Sequence, residues 1–464
     1  MVFFIFNKNV EAFPAFTLDF ALMLAAILIY KKYKKFSVVF LSVVAAAVAA
    51  FMVVDTTEIE VTDSYMDTLW NEDRKEAINA TISSDDSFYR MNTLNDYRYN
   101  CNQYINEKYY QTSMYSSVYN KYFNELVNDT LNLTNPTLNR ISSINMNNIL
   151  FETFMGVKYL DGHDYTEPVG FEDYMEYGNY RIVKNDNVYS LGFATSNTMS
   201  YEVFDELSAN EKQVAILKYV VTENGEDIDY TNNFTSLDVD IDFGEEFRED
   251  DKYHVQLEEE RKIIVDMQDY DYDIYAVNIY LEKVERKKVI IYVNDINNTL
   301  SGKSAAFINN NLDFGYIVSA NNGVDQFEIR LSKGNYVITG YDVYGMNYQD
   351  VVALKDGFDM MTDIKIDDTV ITGKIDVKED GYFNITIPFD KGFKLYVDGI
   401  EKEIELTDSA FMGCAITKGS HEIRLEYEAL GYKLGLIVSM IGAGMFAVIL
   451  LKDINYMFRK RLDK

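Results

Sequence analysis

Asp238, Asp240, Asp242 and Glu249 stand at positions 1, 3, 5 and 12 of a calcium-loop spacing, the interval at which one loop wraps a hard cation with oxygen ligands. Position 6, where the sharp turn needs glycine, is Phe243, and Gly244 comes one place late. The same residues also read Asp-Val-Asp-Ile-Asp-Phe, the alternation of a strand with one acidic and one apolar face. Asp269, Asp271 and Asp273 alternate with Tyr270 and Tyr272 in the same manner. The expectation is therefore no dedicated metal site and no cofactor. These acidic edges remain the weak candidates for loose divalent-cation binding. Other reactive residues are sparse. Cys101 and Cys414 lie 313 residues apart, which excludes a disulfide framework and any CxxC motif. Three scattered histidines, His163, His254 and His421, do not make a zinc centre. No Gly-rich phosphate loop, GxSxG elbow or HExxH occurs, so the chain shows no self-sufficient hydrolase or nucleotide enzyme. The 37 Tyr and 29 Phe offer sugar-stacking surfaces, although most are expected to fill strand faces.

Charge is distributed in blocks. The formal net charge of the 464 residues is −31, yet residues 1–54 carry +3 and residues 430–464 carry +4, leaving −38 for the middle. Such a field repels phosphates, and no basic stripe offsets it, so no nucleic-acid partner is expected. With 48% hydrophobic residues the chain can bury a core, which excludes a disordered acidic tail.

The two basic ends hold apolar runs. Ala12–Tyr30 approaches the ~20 residues that a helix needs to cross a bilayer, and Phe36–Val54 is another uncharged stretch. Between them lie Lys31, Lys32, Lys34 and Lys35, and short loops this rich in lysine stay on the cytoplasmic side. Because the positive cluster follows the first apolar run, that run reads as a retained span rather than a cleaved signal peptide. At the other end Leu434–Leu451 is apolar or small and is followed by Lys452, Arg459, Lys460, Arg461 and Lys464. The expected partner is a lipid bilayer, and the expected location a cell membrane, multi-pass, with the main domain extracytoplasmic. Gly435, Ser439, Ala443 and Ala447 form a small-residue stripe of the kind that admits a close helix neighbour, and that chance composition also produces. Asp19 inside the first span reads as reaching the interface.

The expected fold class is three transmembrane helices plus a large α+β extracytoplasmic domain ending in β-sandwich architecture. The divisions are a hairpin at 1–54 (spans 12–30 and 36–54), a mixed subdomain at 55–225, a β-sandwich region at 226–430, and 431–464 with a span at 434–451. In the mixed part, helices are expected at Met66–Ile82, Tyr115–Val127 and Asn145–Phe154, and strands at Phe88–Thr93 and Val157–Leu160. Ser208 with Glu211 makes a capping box for a helix Ala209–Val221. Beyond it, Tyr253–Val265, Ile274–Leu281, Val289–Val293, Phe327–Leu331, Tyr336–Tyr341, Val370–Val377, Tyr382–Ile387, Phe393–Val397 and His421–Tyr427 read as strands. The Asp398-Gly399 pair between apolar runs predicts a hairpin turn closing Ile387–Gly399, with Phe389, Leu395 and Val397 buried.

The run from Ile387 through Asp390, Gly392 and Phe393 to Asp398-Gly399, then Ala410–Gly413, Lys418-Gly419-Ser420-His421-Glu422-Ile423, Tyr427 and Gly431–Gly435 resembles the end of bacterial YfhO family membrane proteins. Phe88-Tyr89-Arg90, the stretch from Ser116-Ser117 to Leu126, Asn148-Ile149-Leu150, Gly156–Tyr159 and the Glu211–Val221 helix follow in the family's order. The resemblance covers most of residues 36–452, with Asp390, Gly392, Asp398, Gly399, Gly419 and His421 as its signature; Phe393 stands where the family often has Trp. It implies a polytopic protein of GT-C glycosyltransferase type that uses a polyprenyl-phosphate sugar donor to glycosylate lipoteichoic acid or a related envelope polymer. In that architecture the catalytic acid lies in the first external loop, which this chain does not match, and neither Glu11 nor Asp19 inherits the role. The catalytic residues are thus unknown. The chain reads first as the C-terminal part of such a transferase, partnered by a membrane subunit carrying the missing spans. The alternatives are a non-catalytic membrane-anchored binding or scaffolding module and a surface hydrolase or calcium-dependent adhesin.

Overall fold

The computed structural model describes residues 72–93, 108–112, 114–115, 120–133, 141–142, 148–162, 166–178, 180–244, 248–249, 251–282, 288–305 and 311–462. The expected spans at 12–30 and 36–54, their lysine loop, Glu11, Asp19, Cys101 and His163 lie outside the described residues. The chain forms two compact units, Ser64–Glu428 and a second comprising Met1–Asp63 with Ala429–Lys464. The described part of the second is one helix, Tyr432–Leu462. Its stretch Tyr432–Lys452 has a mean hydropathy of 2.5 and is long and apolar enough to cross a membrane.

The larger unit is rich in β-structure. Its first layer is a four-stranded sheet in the spatial order Arg90–Thr93, Val157–Gly162, Tyr180–Lys184, Glu172–Tyr177. The first pair is parallel and the others antiparallel. Helix Glu72–Ser84 buries Ala77, Ile78 and Ile82 among Tyr89, Met91, Tyr159 and Ile182 of this layer. A parallel pair requires a long crossover, and here it carries the short helices Lys121–Glu125 and Ile149–Phe154. Both begin later than the periodicity predicts, because Asn120 and Asn148 cap them by accepting the N–H of Phe123 and Phe151. Tyr115, expected to open a helix, instead lies in the short strand Met114–Tyr115, which pairs with Ile141–Ser142. Every residue of Ile149–Phe154 is buried, which places that helix inside a core with Phe193, Phe204, Val214, Ile317 and Phe411. The Ser208/Glu211 capping box forms as read, with the helix spanning Ala209–Ala215.

Two pairs of sheets follow, each enclosing its own apolar core. In the middle pair, one sheet orders Arg248–Glu249, Lys252–Leu257, Gly334–Met346, Ile274–Leu281 and Asp313–Ser319, with Thr235–Leu237 also pairing on Gly334–Met346. The other orders Arg261–Asp266, Gln326–Leu331, Val289–Val293 and Ile296–Leu300. Val277, Ile279, Ile291, Phe314, Phe327, Ile329 and Ile338 belong to the core that they share. The stretch 253–265, expected as one strand, is two strands in different sheets. The exposed run Glu258-Glu259-Glu260 separates them, since consecutive carboxylates cannot alternate into a buried face.

In the last pair, one sheet orders Asp359–Met360, Gly192–Thr195, Gly381–Ile385, Phe411–Ile416 and Glu405–Thr407. Its partner orders Thr362–Asp367, Val370–Val377, Gly419–Tyr427, Phe393–Val397 and Ile400–Lys402. Leu191, Phe383, Ile385, Leu395, Val397, Met412, Cys414 and Ile423 fill the space between. Strand Gly192–Thr195 therefore joins a sheet whose other members all follow residue 358. Asp398 and Gly399, at φ 53 and 77, make a two-residue turn of the I′ kind. It joins Phe393–Val397 to Ile400–Lys402 rather than closing a hairpin back to Ile387. Leu395 and Val397 are buried as expected, whereas Phe389 is half-buried and its N–H reaches Ala410 O at 2.8 Å.

A Cβ at Gly399 would meet no atom within 4 Å, so substitution there acts through backbone strain alone. Gly399→Val is expected to destabilise the chain by about 1 kcal/mol, and Gly399→Asn by much less, because Asn tolerates this conformation. Thermal unfolding of the two variants in detergent checks this, and equal melting temperatures would remove the strained turn.

Candidate functional site

The residues Asp398, Gly399, Gly419 and His421 meet at one end of the last sheet. Pairing of Phe393–Val397 with Gly419–Tyr427 sets Val397 opposite Ile423, and the Asp398 N–H reaches Glu422 O at 2.9 Å. The Asp398 carboxylate accepts the Glu422 N–H at 2.9 Å and lies 2.7 Å from His421 Nδ1. His421 Nε2 lies 2.8 Å from Thr417 O. Both ring nitrogens thus face acceptors, which favours the imidazolium with a proton on each. Partial burial opposes that charge, but the bonds to Asp398 and Thr417 outweigh it and raise the pKa above the usual imidazole value. The Glu422 N–H and His421 hold the Asp398 carboxyl below its usual range. With both nitrogens engaged, His421 has no free lone pair for general-base work. The arrangement pins a turn to a strand.

Asp390 and Gly392 serve the other end of strand Phe393–Val397. Asp390 Oδ1 accepts the Gly392 N–H at 2.7 Å, and Gly392 O accepts the Glu428 N–H at 2.9 Å. A Cβ at position 392 would sit 2.6 Å from Glu428 O, so only glycine permits this approach of the two backbones.

The acidic candidates are not gathered. Val239, Ile241 and Phe243 turn into the middle core, while Asp238, Asp240 and Asp242 are exposed. Asp242 accepts the Gly244 N–H at 2.8 Å, and Glu249 lies in a short strand opposite Lys252. Asp273 accepts the Tyr348 N–H at 2.9 Å. Among the described residues no group of three or more His, Cys, Asp or Glu is placed to hold a metal ion.

Several buried polar residues escape pattern reading altogether. Arg74 pairs with Asp161 at 2.6 Å, both inside. Arg90 is buried with no carboxylate on it among the described residues: its guanidinium donates to Met155 O, to Thr386 Oγ1 at 3.1 Å and to Thr386 O at 2.7 Å. Burial brings its pKa down to about 10. Asp408 accepts the Val221 N–H at 2.8 Å and Asn384 Nδ2 at 2.6 Å, and burial pushes its carboxyl up to about 8. Burial likewise pushes Glu152 up to about 8, and neither of its carboxyl oxygens has a hydrogen-bond partner. Cys414 is a free, buried thiol raised to about 12 by the same cause. Of these, the sequence reading named only Arg90, within Phe88-Tyr89-Arg90, and Cys414, as one of two cysteines; Arg74, Asp161, Glu152 and Asp408 occupy interior places with no local pattern.

The sequence model of the family described as "Bacterial membrane protein YfhO" matches residues 2–439. The chain belongs to the YfhO family. An "Uncharacterized protein YfhO" of Bacillus subtilis (strain 168) is 23% identical over 347 residues, which are 72% of this chain and 39% of that protein. The chain thus spans about two-fifths of that YfhO protein. Among solved structures, a Paenibacillus xanthan lyase has a TM-score of 0.16 at 8% identity, covering 58% of this chain and 31% of that one. An allantoicase has a TM-score of 0.11 at 8% identity, covering 37% and 76%. Scores this low carry no argument about the fold or chemistry of this YfhO member.

The Asp398–His421 pair makes a pH-dependent contribution to stability. Because the folded pKa of His421 is raised, its share is fully present below the unfolded value of about 6.5 and fades as pH rises through the folded value. Asp398, lowered in the fold, contributes above about 3.9 and loses its share as pH falls through the folded value. His421→Gln is expected to lower the melting temperature most at about pH 5.5 and least at about pH 9. A deficit that grows with pH would contradict the ion pair.

Proposed function

We propose that this YfhO member is a membrane-anchored extracytoplasmic module serving the glycosylation of a cell-envelope polymer, of lipoteichoic acid type, from a polyprenyl-phosphate sugar donor. The observation that carries the reading is the family match across residues 2–439, joined to the apolar helix stretch Tyr432–Lys452. In this reading three helices cross the membrane, and the order is outside, inside, outside, inside for the N-terminus, the Lys31–Lys35 loop, the β-rich unit and the C-terminal tail. The two lysine- and arginine-rich clusters support that orientation. Transfer from such a donor needs a carboxylate to deprotonate the acceptor hydroxyl and cations or a metal to hold the leaving phosphate. We assign that set to the part of a YfhO protein outside the matched 39%, supplied by a membrane subunit or a longer chain. A second reading, a non-catalytic binding or scaffolding module of the cell surface, is favoured by the employment of Asp398 and His421 in holding a turn.

Reconstitution in liposomes with labelled donor separates the readings. This chain alone is expected to give no labelled product, and a complementing membrane subunit is expected to restore transfer. Product from the chain alone would place an active site within it, with Glu11 and Asp19 the first residues to substitute. Transfer absent with every subunit would favour the scaffold. For the topology, a cysteine introduced near Asp250 is expected to react with an impermeant reagent on whole cells while one near Lys460 does not; the opposite pattern would reverse the orientation.

A further inference from the structure

Two adjoining cavities of about 860 and 730 Å³ share Asp86, Ile364 and Lys365 in their walls and form one long open groove. One wall is the outer face of the last sheet, with Lys374, Tyr396 and Arg424; the other is the segment Asp85–Tyr89 with Tyr110. Each is of the size that takes a small-molecule ligand or several linked ring-sized units.

The chemistry of the walls is specific in kind. Aromatic faces stand in both cavities. Tyr396 is half-buried with the Arg424 guanidinium 6.0 Å from its ring centre, and the Phe88 and Tyr110 rings lie 5.0 Å apart at 36°. Charges between them are mostly matched already: Lys374 with Asp363 at 3.0 Å, Lys108 with Asp86 at 3.0 Å, Arg424 with Glu426. Lys365, lining both cavities, has no ion pair among the described residues. The walls together carry seven acidic and four basic side chains.

Matched pairs offer donors and acceptors in set positions, which suits hydroxyl groups. Aromatic faces add apolar contact for the C–H face of a sugar ring. A polyanion would meet the acidic excess, and an apolar chain would leave these charges desolvated. We propose that this groove binds a neutral oligosaccharide, lying along the outer sheet face between Tyr396 and the Phe88/Tyr110 pair, with Lys365 donating to its hydroxyls. The inference deepens the proposed envelope role and rests on it only for the source of such a chain.

The test is calorimetric titration of the full chain in detergent with three probes. They are neutral oligosaccharides built from glucose, galactose or N-acetylglucosamine, polyglycerol phosphate, and a lysine oligomer. One of the neutral oligosaccharides is expected to bind with little salt dependence. Tyr396→Ala and Lys365→Ala should each weaken it about tenfold, while Tyr177→Ala, an exposed aromatic on another sheet, should not. Lys365 is exposed and makes no ion pair among the described residues, so its variant stays informative if Tyr396→Ala unfolds. The proposal is overturned if no neutral probe binds at about millimolar concentration, if either charged probe binds more tightly, or if both variants bind as the parent does. A chain that binds sugar but supports no labelled transfer with any subunit keeps the groove and loses the transferase reading. Transfer without groove binding does the reverse.

Discussion

A buried guanidinium ties the first sheet of the protein to the last. Arg90 opens strand Arg90–Thr93 and donates to Met155 O, at the end of a buried helix, and to Thr386, 296 residues away, just beyond strand Gly381–Ile385. Removing a cation from water costs several kcal/mol unless its donors are met. Here two backbone carbonyls and a hydroxyl meet them. These groups belong to Met155 and Thr386, so they are in place only when both the crossover helix and the last sheet pair have formed. The local register follows: Arg90 pairs with Val157 and Met91 with Tyr159, skipping Lys158, whose ammonium reaches Asp85 at 2.6 Å.

The same dependence of early residues on late ones recurs in the sheets. Gly192–Thr195 is hydrogen-bonded on one side to Asp359–Met360 and on the other to Gly381–Ile385, so the middle pair of sheets is looped out between the partners. The apolar core around helix Ile149–Phe154 likewise draws on Phe193, Ile274, Phe358 and Phe411. Closing loops of this length must precede the contacts that compensate for their entropy, which makes such pairings slow to form. The unit Ser64–Glu428 is accordingly one compact body.

The distribution of charge follows from this packing. Two interior carboxyls, Asp408 and Glu152, are pushed up to about 8 by burial, so near neutrality the interior holds them largely protonated. The acidic excess falls on the surface, as in the segment just after strand Thr235–Leu237, where Asp238, Asp240 and Asp242 lie outward and Val239, Ile241 and Phe243 inward without strand pairing. For a YfhO protein this gives an acidic β-rich unit whose residues of signature type hold turns and strand ends in place.

What the sequence determined by itself is local. The apolar stretch Tyr432–Lys452 is legible because a bilayer-crossing helix needs only contiguous apolar residues. The Ser208/Glu211 box and the Asp398-Gly399 turn are legible because caps and turns are settled by a few neighbouring residues. Ile274–Leu281 and Val370–Val377 carry their own strand pattern and appear at those bounds. Tertiary structure decided which strands became neighbours, where Asn120 and Asn148 start their helices, and that 253–265 turns a corner at three glutamates. It also decided the company kept by Arg90, Asp408 and His421. Partner choice across 187 or 296 residues leaves no mark in local periodicity, because burial and hydrogen bonding at those places depend on segments that meet only in the folded chain.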